Sequence, residues 1–242
     1  MRINYFSDLH LEFGSQDLPE NDADVVIAAG DIGVFNQGVE WLKTIDKPVI
    51  YVAGNHEFYN GEYTQVLKKI RDDCHNTNIM FLEQEQLIFN GVRFLGCTLW
   101  TDLFVEGEEK AEVIGHTIND FKRIQFSDEN FNQKHFSALF QESKSWLVNC
   151  LAQPFTGKTI VVTHHAPTEW SWIHTPNSIK KLAYCNDLKP LIYEYEIAAW
   201  FHGHVHNLGD YRIADARILS NTRGYIGRKL VNEFDINKIV EI

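Results

Sequence analysis

The chain has 242 residues, of which 44% are hydrophobic and 23% are charged, and its formal net charge is −11. This composition is that of a folded unit large enough to bury a sizeable core. The acidic balance argues against a surface built for nucleic acid, because such binding draws most of its affinity from clustered Lys and Arg.

In the first third of the chain, apolar runs alternate with segments whose apolar residues have the spacing of a helix. The apolar runs are 3–6, 25–28 and Val49–Val52, and near-continuous runs of this kind occupy buried central strands. Between them, 38–44 and Tyr63–Cys74 place apolar residues at the spacing of a helix that buries one side. We therefore predict alternating strands and helices in this part.

The middle of the chain changes to short strands. They are predicted at 80–82, 87–89 and 92–96, and the pair Asn90-Gly91 between the last two is a strong hairpin signal. A long polar and aromatic stretch follows.

The last part combines one long helix with further strands. The helix is predicted over 132–151, and buried strands are predicted at Thr159–Thr163 and 197–201, followed by an alternating pattern toward the C-terminus. No internal repeat, linker or low-complexity segment interrupts the chain. We expect a single domain over residues 1–242.

Cysteine usage and the N-terminus predict the compartment. The four cysteines have no C-x-x-C spacing. We expect them to be reduced and mostly buried, and we expect neither a disulfide framework nor a zinc knuckle. The N-terminus enters a strand at once, without the pattern of a secretion signal, and no apolar run approaches the length of a membrane span. We expect a cytoplasmic location and no membrane partner; the sequence leaves the oligomeric state open.

Five short polar segments each follow an apolar run, where a buried strand ends and a loop begins. In chain order they read Asp8-Leu9-His10, Gly30-Asp31, Gly54-Asn55-His56-Glu57, Thr163-His164-His165 and Gly203-His204-Val205-His206. Ligands of open α/β sheets bind beyond the carboxyl ends of the strands. The Asp, His and Asn side chains form a mixed oxygen and nitrogen set that suits Mn, Fe(II), Zn or Co better than Ca or Mg. Together the segments predict a metal site.

Each segment alone has an ordinary explanation. Asp8 and Asp31 suit turns or helix caps. Asn55 after a glycine is a common turn pair, and a lone His164 or His204 is more often a hydrogen-bonded core residue. Separate explanations for the whole ordered set are hard to sustain, so the metal site is the favoured interpretation.

The ordered pattern D-x-H, G-D, G-N-H-E, H and G-H-x-H resembles the signature of the calcineurin-like metallophosphoesterases, over roughly residues 3 to 206. The resemblance implies an α/β (α+β) fold in which two mixed sheets flanked by helices form a four-layer αββα sandwich. It also implies a binuclear metal-dependent phosphoesterase, in which a hydroxide shared by two divalent ions attacks phosphorus in line with the leaving oxygen. We expect ions of the Mn, Fe, Zn or Co class and a small phosphate mono- or diester, nucleotide-like or otherwise.

The same resemblance assigns roles to individual residues. One metal would be held by Asp8, His10, Asp31 and His206, and the other by Asp31, Asn55, His164 and His204. Asp31 would bridge the ions, since a carboxylate can bind two cations and partly cancel their repulsion. His56 would contact the phosphoryl oxygen or the leaving group and donate a proton. Glu57 could orient nearby groups or cap the following helix.

Residues outside the metal set are candidates for substrate contact. His165 could touch the substrate or support a neighbouring metal ligand, and His202 is expected either to be such a support or to serve in packing. Arg223 or Arg123 could hold a phosphate beside the metals. The aromatic segments at Trp100 and Trp170 could stack on a base at the cleft rim or could cover core.

Two departures from better-known branches narrow the function. The chain lacks the G-D-x-x-D-R-G segment of the serine/threonine phosphatases, and His56 stands where the lipid A-pathway pyrophosphatases have Arg. Besides a small-ester phosphoesterase, two functions stay open. A metal-dependent nuclease is disfavoured by the acidic charge and the lack of an added DNA-facing domain, so we expect no stable nucleic-acid binding. A non-catalytic scaffold of the same fold is disfavoured by the complete ligand set.

Overall fold

The structure is a computed structural model that describes residues 1–242, with helices and strands distributed along the whole chain. The α-helices are α1 (Gln37–Leu42), α2 (Tyr63–Cys74), α3 (Glu108–Thr117), α4 (Asp120–Arg123), α5 (Gln133–Leu151) and α6 (Lys189–Glu194). Short 3-10 helices span Leu11–Phe13, His56–Phe58, Glu169–Ser171 and Ile179–Ala183. None of the helices is both long and apolar enough to cross a membrane.

The strands follow in chain order. They are β1 (Arg2–Phe6), β2 (Val25–Ala29), β3 (Val49–Val52), β4 (Gly61–Glu62), β5 (Ile79–Phe81), β6 (Glu85–Phe89), β7 (Val92–Cys97), β8 (Ile124–Phe126), β9 (Glu129–Asn130), β10 (Thr159–Thr163), β11 (Ala199–His202), β12 (Gly209–Ile213), β13 (Ala216–Ser220), β14 (Gly224–Tyr225), β15 (Lys229–Leu230) and β16 (Ile239–Glu241).

Two mixed sheets form the centre of the fold. The first has the order β16-β1-β2-β3-β5 and is parallel except for its edge strand β16. The second has the order β12-β13-β11-β10-β7-β6, with four parallel central strands and antiparallel edges. The predicted hairpin connects β6 to β7, and both Asn90 and Gly91 have the positive φ that its tight turn requires.

Apolar side chains pack on both faces of the two sheets. A cluster of 16 buried residues combines inward side chains of both sheets, such as Ile27 and Phe201. Alternate residues of a strand point to opposite faces, so Val26 and Val161 instead join a larger cluster with the helices α2 and α5. The resulting order of layers is helix, sheet, sheet, helix, which confirms the predicted αββα sandwich. The single-domain assignment over residues 1–242 stays a prediction.

The polar and aromatic stretch contains structure that periodicity did not predict. It forms α3, α4 and a small sheet in which β8 pairs with β4 and β9. Only Ala111 and Ile114 of α3 are buried, so this helix has almost no apolar stripe to detect. The end of α3 and the start of α4 form one wall of the cleft described below.

Candidate metal centre

The five polar segments come together at one edge of the two facing sheets. They follow the carboxyl ends of β1, β2, β3, β10 and β11, which are all parallel strands. The side chains converge into three overlapping groups that could each hold a metal ion: Asp8, His10 and His206; Asp31, His164 and His204; and His10, Asp31 and His56. The convergence that the strand ends predicted is therefore present.

The backbone at the centre adopts a rare conformation. Asp8, His10, Asp31, His204 and His206 all have positive φ, between 46° and 67°, although none is glycine. Such a conformation costs about 1 to 3 kcal/mol per residue and occurs most often at functional sites. It turns the chain sharply after each strand, so that neighbouring side chains point at one centre.

The first group surrounds His206. Its Nε2 lies 3.0 Å from Nε2 of His10 and 3.2 Å from Oδ1 of Asp8. The Asp8 carboxylate is itself fixed, because it accepts hydrogen bonds from the Ser7 hydroxyl and from the backbone N–H of His204. Nε2 of His10 lies 3.7 Å from Oδ2 of Asp31, which connects this group to the next.

The second group surrounds His164. Its Nε2 lies 3.1 Å from Nδ1 of His204, 3.2 Å from Oδ1 of Asn55 and 3.5 Å from Oδ1 of Asp31. Asp31 thus directs Oδ1 toward His164 and Oδ2 toward His10. It is the one carboxylate that the two groups share.

The donor atoms suit divalent cations. Two ligand atoms bonded at about 2.1 Å to one ion lie about 3.0 to 3.4 Å apart, as most of these atoms do. His164 donates its Nδ1–H to the carbonyl of Ala29 over 2.9 Å, which leaves the Nε2 lone pair directed into the centre. Burial lowers the pKa of His164, yet the Asp31 carboxylate raises it to about 9, so the negative charge of the centre favours a positive charge at Nε2, either a proton or, in its place, a bound cation.

Two glycines let the segments approach each other. A Cβ on Gly54 would lie 2.2 Å from Oδ1 of Asp31, and a Cβ on Gly203 would lie 2.6 Å from Oδ2 of Asp8. Both distances are far below any van der Waals contact. Glycine at these positions allows the carboxylates to sit against the backbone of a neighbouring strand end.

Glu57 holds the loop that carries Asp31. Its buried carboxylate accepts hydrogen bonds from the backbone N–H groups of Asp31 (2.9 Å), Ile32 (2.8 Å) and Gly54 (2.7 Å) and from the hydroxyl of Tyr51. The helix α2 is capped instead by Glu62. Of the two roles considered for Glu57, it therefore has the first: it orients nearby groups and does not cap the helix.

His56 is held by a residue that sequence reasoning missed. Its Nδ1 donates to Oε1 of Glu12 over 2.8 Å, and its Nε2 lies 3.9 Å from Oδ2 of Asp31. Burial raises the pKa of Glu12, but its contacts with the imidazoles of His10 (3.4 Å) and His56 (2.8 Å) outweigh this and lower it to about 2. In the sequence, the only sign of this role was that Glu12 is an acidic residue two positions after His10. With Nδ1 committed to Glu12, Nε2 is the nitrogen that faces the centre.

The centre opens into a small cleft of about 130 Å³. Besides members of the three groups, it is lined by Tyr59, Tyr184 and Tyr225 and by the segment 117–120 at the end of α3 and start of α4. Lys180 is the only Lys or Arg among the lining residues, and it is exposed. None of these residues belonged to the predicted site.

The two predicted substrate contacts lie outside this cleft. His165 is fully buried, packs against Trp100 and His204, and bonds through Nδ1 to the carbonyl of Thr98. Arg223 is 4% exposed, and its guanidinium donates to the backbone carbonyls of residues 9, 14 and 15. Contact with a substrate would require both side chains to leave this packing.

The remaining candidates for substrate contact or ligand support pack against other protein groups. Trp100 is fully buried, so it covers core and forms no rim, whereas Trp170 is half exposed beneath the ammonium of a lysine. His202 is buried and contacts the hydroxyl of Ser171 and the carbonyl of Gly203, so it bonds to no assigned metal ligand. The guanidinium of Arg123 lies over the ring of Tyr59 at 5.3 Å.

Comparison with known proteins identifies the relatives of this fold. The calcineurin-like phosphoesterase family model matches residues 1–208. By sequence, the chain is 28% identical to an uncharacterized protein of Acanthamoeba polyphaga mimivirus, with 93% of this chain and 92% of that protein covered.

Solved structures share the fold at low sequence identity. The phosphopantetheinyl hydrolase from Mycobacterium tuberculosis has a TM-score of 0.74 at 17% identity, with 93% of this chain and 89% of that one covered. A dimetal phosphatase from Danio rerio has a TM-score of 0.52 at 13% identity, with 93% and 87% covered.

Proposed function

Since the chain belongs to the calcineurin-like phosphoesterase family and is therefore a metal-dependent phosphoric ester hydrolase, we propose that it hydrolyses a small phosphate mono- or diester with two bound divalent cations. The family match confirms the resemblance drawn from the five polar segments. The observation that carries the binuclear part of the proposal is Asp31, whose two carboxylate oxygens are directed at different groups of possible ligands.

The ligand assignment follows the two groups. We assign one cation to Asp8, His10, Asp31 and His206, and the other to Asp31, Asn55, His164 and His204. The mixed nitrogen and oxygen donors favour Mn, Fe, Zn or Co over Mg or Ca. When bound, two such cations supply an activated water at neutral pH and neutralise charge on the phosphoryl group.

The protein side chains supply orientation and a proton. His56 directs Nε2 into the centre while its Nδ1–H is donated to Glu12. Burial lowers the pKa of His56, but the carboxylates of Asp31 and Glu12 raise it above its usual value, which favours the imidazolium form that can donate its Nε2 proton to the leaving oxygen. Glu57 fixes the loop that carries Asp31 by accepting hydrogen bonds from the backbone N–H groups of Asp31, Ile32 and Gly54. Lys180 at the cleft mouth offers a positive charge for an anionic part of the substrate beyond the reacting phosphate.

Metal dependence is the first test of this proposal. The purified protein is expected to contain or take up two divalent ions per chain and to hydrolyse p-nitrophenyl phosphate or its diester only with metal present. Metal analysis and a chelator series with readdition of Mn, Fe, Zn or Co measure both quantities. Activity that survives complete metal removal would exclude the two-metal mechanism, and a protein that binds two ions yet hydrolyses no ester would support the scaffold alternative.

Substrate size is the second test. The cleft is small and the net charge is −11, so long polyanions would be repelled outside the cleft while compact esters could still enter it. Mononucleotides, cyclic nucleotides, aryl phosphodiesters and a phosphopantetheinyl ester are expected to be hydrolysed faster than DNA at equal phosphate concentration. The difference should be largest at low salt, where repulsion is least screened. DNA cleaved faster than every small ester would favour the nuclease alternative.

A further inference from the structure

A buried chain of polar contacts leads from Asn55 away from the metal centre. The amide oxygen Oδ1 of Asn55 faces Nε2 of His164, and its Nδ2 donates to the hydroxyl of Tyr59 over 3.2 Å. The Tyr59 hydroxyl in turn donates to Oδ2 of Asp120 over 3.4 Å. All three side chains border the cleft but are at most 5% exposed, so little water competes for these contacts.

An asparagine ligand has an orientation problem that a carboxylate does not have. The oxygen and nitrogen of its amide are nearly equal in size, but only the oxygen can bind a cation. A rotation of the amide by half a turn would direct two N–H donors at the cation instead. Some other group must therefore favour one orientation over the other.

The carboxylate of Asp120 sets the direction of the whole chain. An ionised carboxylate only accepts hydrogen bonds, so the Tyr59 hydroxyl must donate to it. The hydroxyl oxygen then accepts, and the Asn55 atom that can satisfy it is the donor Nδ2. Without Asp120, the hydroxyl would be free to donate to the amide oxygen, which would favour the wrong orientation.

The position of Tyr59 is itself fixed. Its ring lies 4.2 Å from the ring of His56, centroid to centroid, and carries the guanidinium of Arg123 at 5.3 Å. Asp120 is the first residue of α4, and the same short helix ends at Arg123. The helix α4, which lies outside the five polar segments, thus contributes two groups that contact Tyr59: the carboxylate of Asp120 and the guanidinium of Arg123.

We propose that Tyr59 and Asp120 are positioning residues that hold the amide oxygen of Asn55 toward the second cation. This inference rests on the proposed function, in which Asn55 is a ligand. It differs from a direct role of Asp120 on the substrate, because Asp120 here acts through Tyr59 even though it also lines the cleft.

The test compares Tyr59→Phe in two backgrounds. Mn²⁺ alone is titrated into the metal-free protein by calorimetry, which needs no catalytic readout. In the chain with Asn55, Tyr59→Phe is expected to weaken the second Mn²⁺ site about 10- to 100-fold, the usual effect of losing a partner that orients a ligand. In the Asn55→Asp background it should have little effect, because either carboxylate oxygen can bind the cation.

Other variants separate orientation from packing and from catalysis. Asp120→Ala should weaken the same site, with p-nitrophenyl phosphate turnover recovered at saturating Mn²⁺. Tyr211→Phe, which removes a tyrosine hydroxyl bonded to Thr168 and Ser171, controls for general destabilisation in thermal melts and should keep both sites.

If Tyr59→Phe lowers Mn²⁺ affinity equally in the two backgrounds, Tyr59 contributes packing only. If Asp120→Ala leaves Mn²⁺ affinity unchanged but lowers turnover, Asp120 acts on the substrate. Either result overturns the inference. The proposed function is checked separately by Asn55→Ala. If this variant keeps both Mn²⁺ sites, Asn55 is not a ligand, and the ligand assignment fails together with the inference.

Discussion

Replacing Asp31 with asparagine is expected to weaken both cation sites at once and to lower activity to that of the chelated wild-type protein. The two carboxylate oxygens face different histidines, with Oδ1 3.5 Å from Nε2 of His164 and Oδ2 3.7 Å from Nε2 of His10. Asparagine keeps one oxygen and removes the negative charge that separates two cations. Metal content after dialysis and kcat/KM for an aryl phosphate measure the effect.

The substitution is suited to this test because it should leave the fold intact. Asparagine has nearly the shape of aspartate, and the backbone N–H of residue 31 keeps its hydrogen bond to Glu57. Asp210→Asn is the matched control, since it removes a carboxylate from a partly exposed pair with Arg217, and such pairs contribute about 0 to 1 kcal/mol. If Asp31→Asn empties one site and leaves the other at full affinity, Asp31 serves one cation only.

The parts of the fold that sequence predicted well are those whose burial leaves a simple pattern. β3 and β10 match their predicted ranges, and α2 matches residue for residue. Strands buried on both faces are unbroken apolar runs, and an amphipathic helix repeats every three to four residues. The elements α3 and α4 were missed because they bury few apolar residues. The pairing of β16 with β1 joins the two ends of the chain, which no local pattern encodes.

The candidate ligands could be located from sequence because cation chemistry restricts residue type and the strand ends restrict position. The groups that orient Asn55 and His56 could not be located in this way. Glu12, Tyr59 and Asp120 are ordinary residues in sequence, and only the loop geometry brings them to His56 and Asn55. The phosphate contact expected of Arg223 stays a prediction. In the structure its guanidinium holds the loop after β1 by donating to backbone carbonyls, a contact that the sequence did not predict.

Replacing His56 with alanine is expected to leave metal content nearly intact and to lower turnover by roughly two to four powers of ten, the usual contribution of a general acid. The Nδ1–H of His56 is committed to Glu12, so the nitrogen that can serve the reacting group is Nε2, which lies 3.3 Å from the Tyr225 hydroxyl at the cleft. Metal analysis and kcat on the same samples separate binding from chemistry. Because His56 lies close enough to His10 and Asp31 to share an ion with them, an emptied metal site in this variant would make His56 a ligand.

The leaving group decides whether His56 acts as the proton donor. An alkoxide leaving group needs a proton as the bond to phosphorus breaks, whereas p-nitrophenolate is stable without one. The loss in His56→Ala should therefore be largest for alkyl phosphates and smallest for p-nitrophenyl phosphate. Glu12→Gln, which keeps a hydrogen-bond acceptor but removes the charge, should show the same dependence with a smaller loss. An equal loss on both kinds of ester would mean that His56 stabilises the phosphoryl oxygens and does not protonate the leaving oxygen.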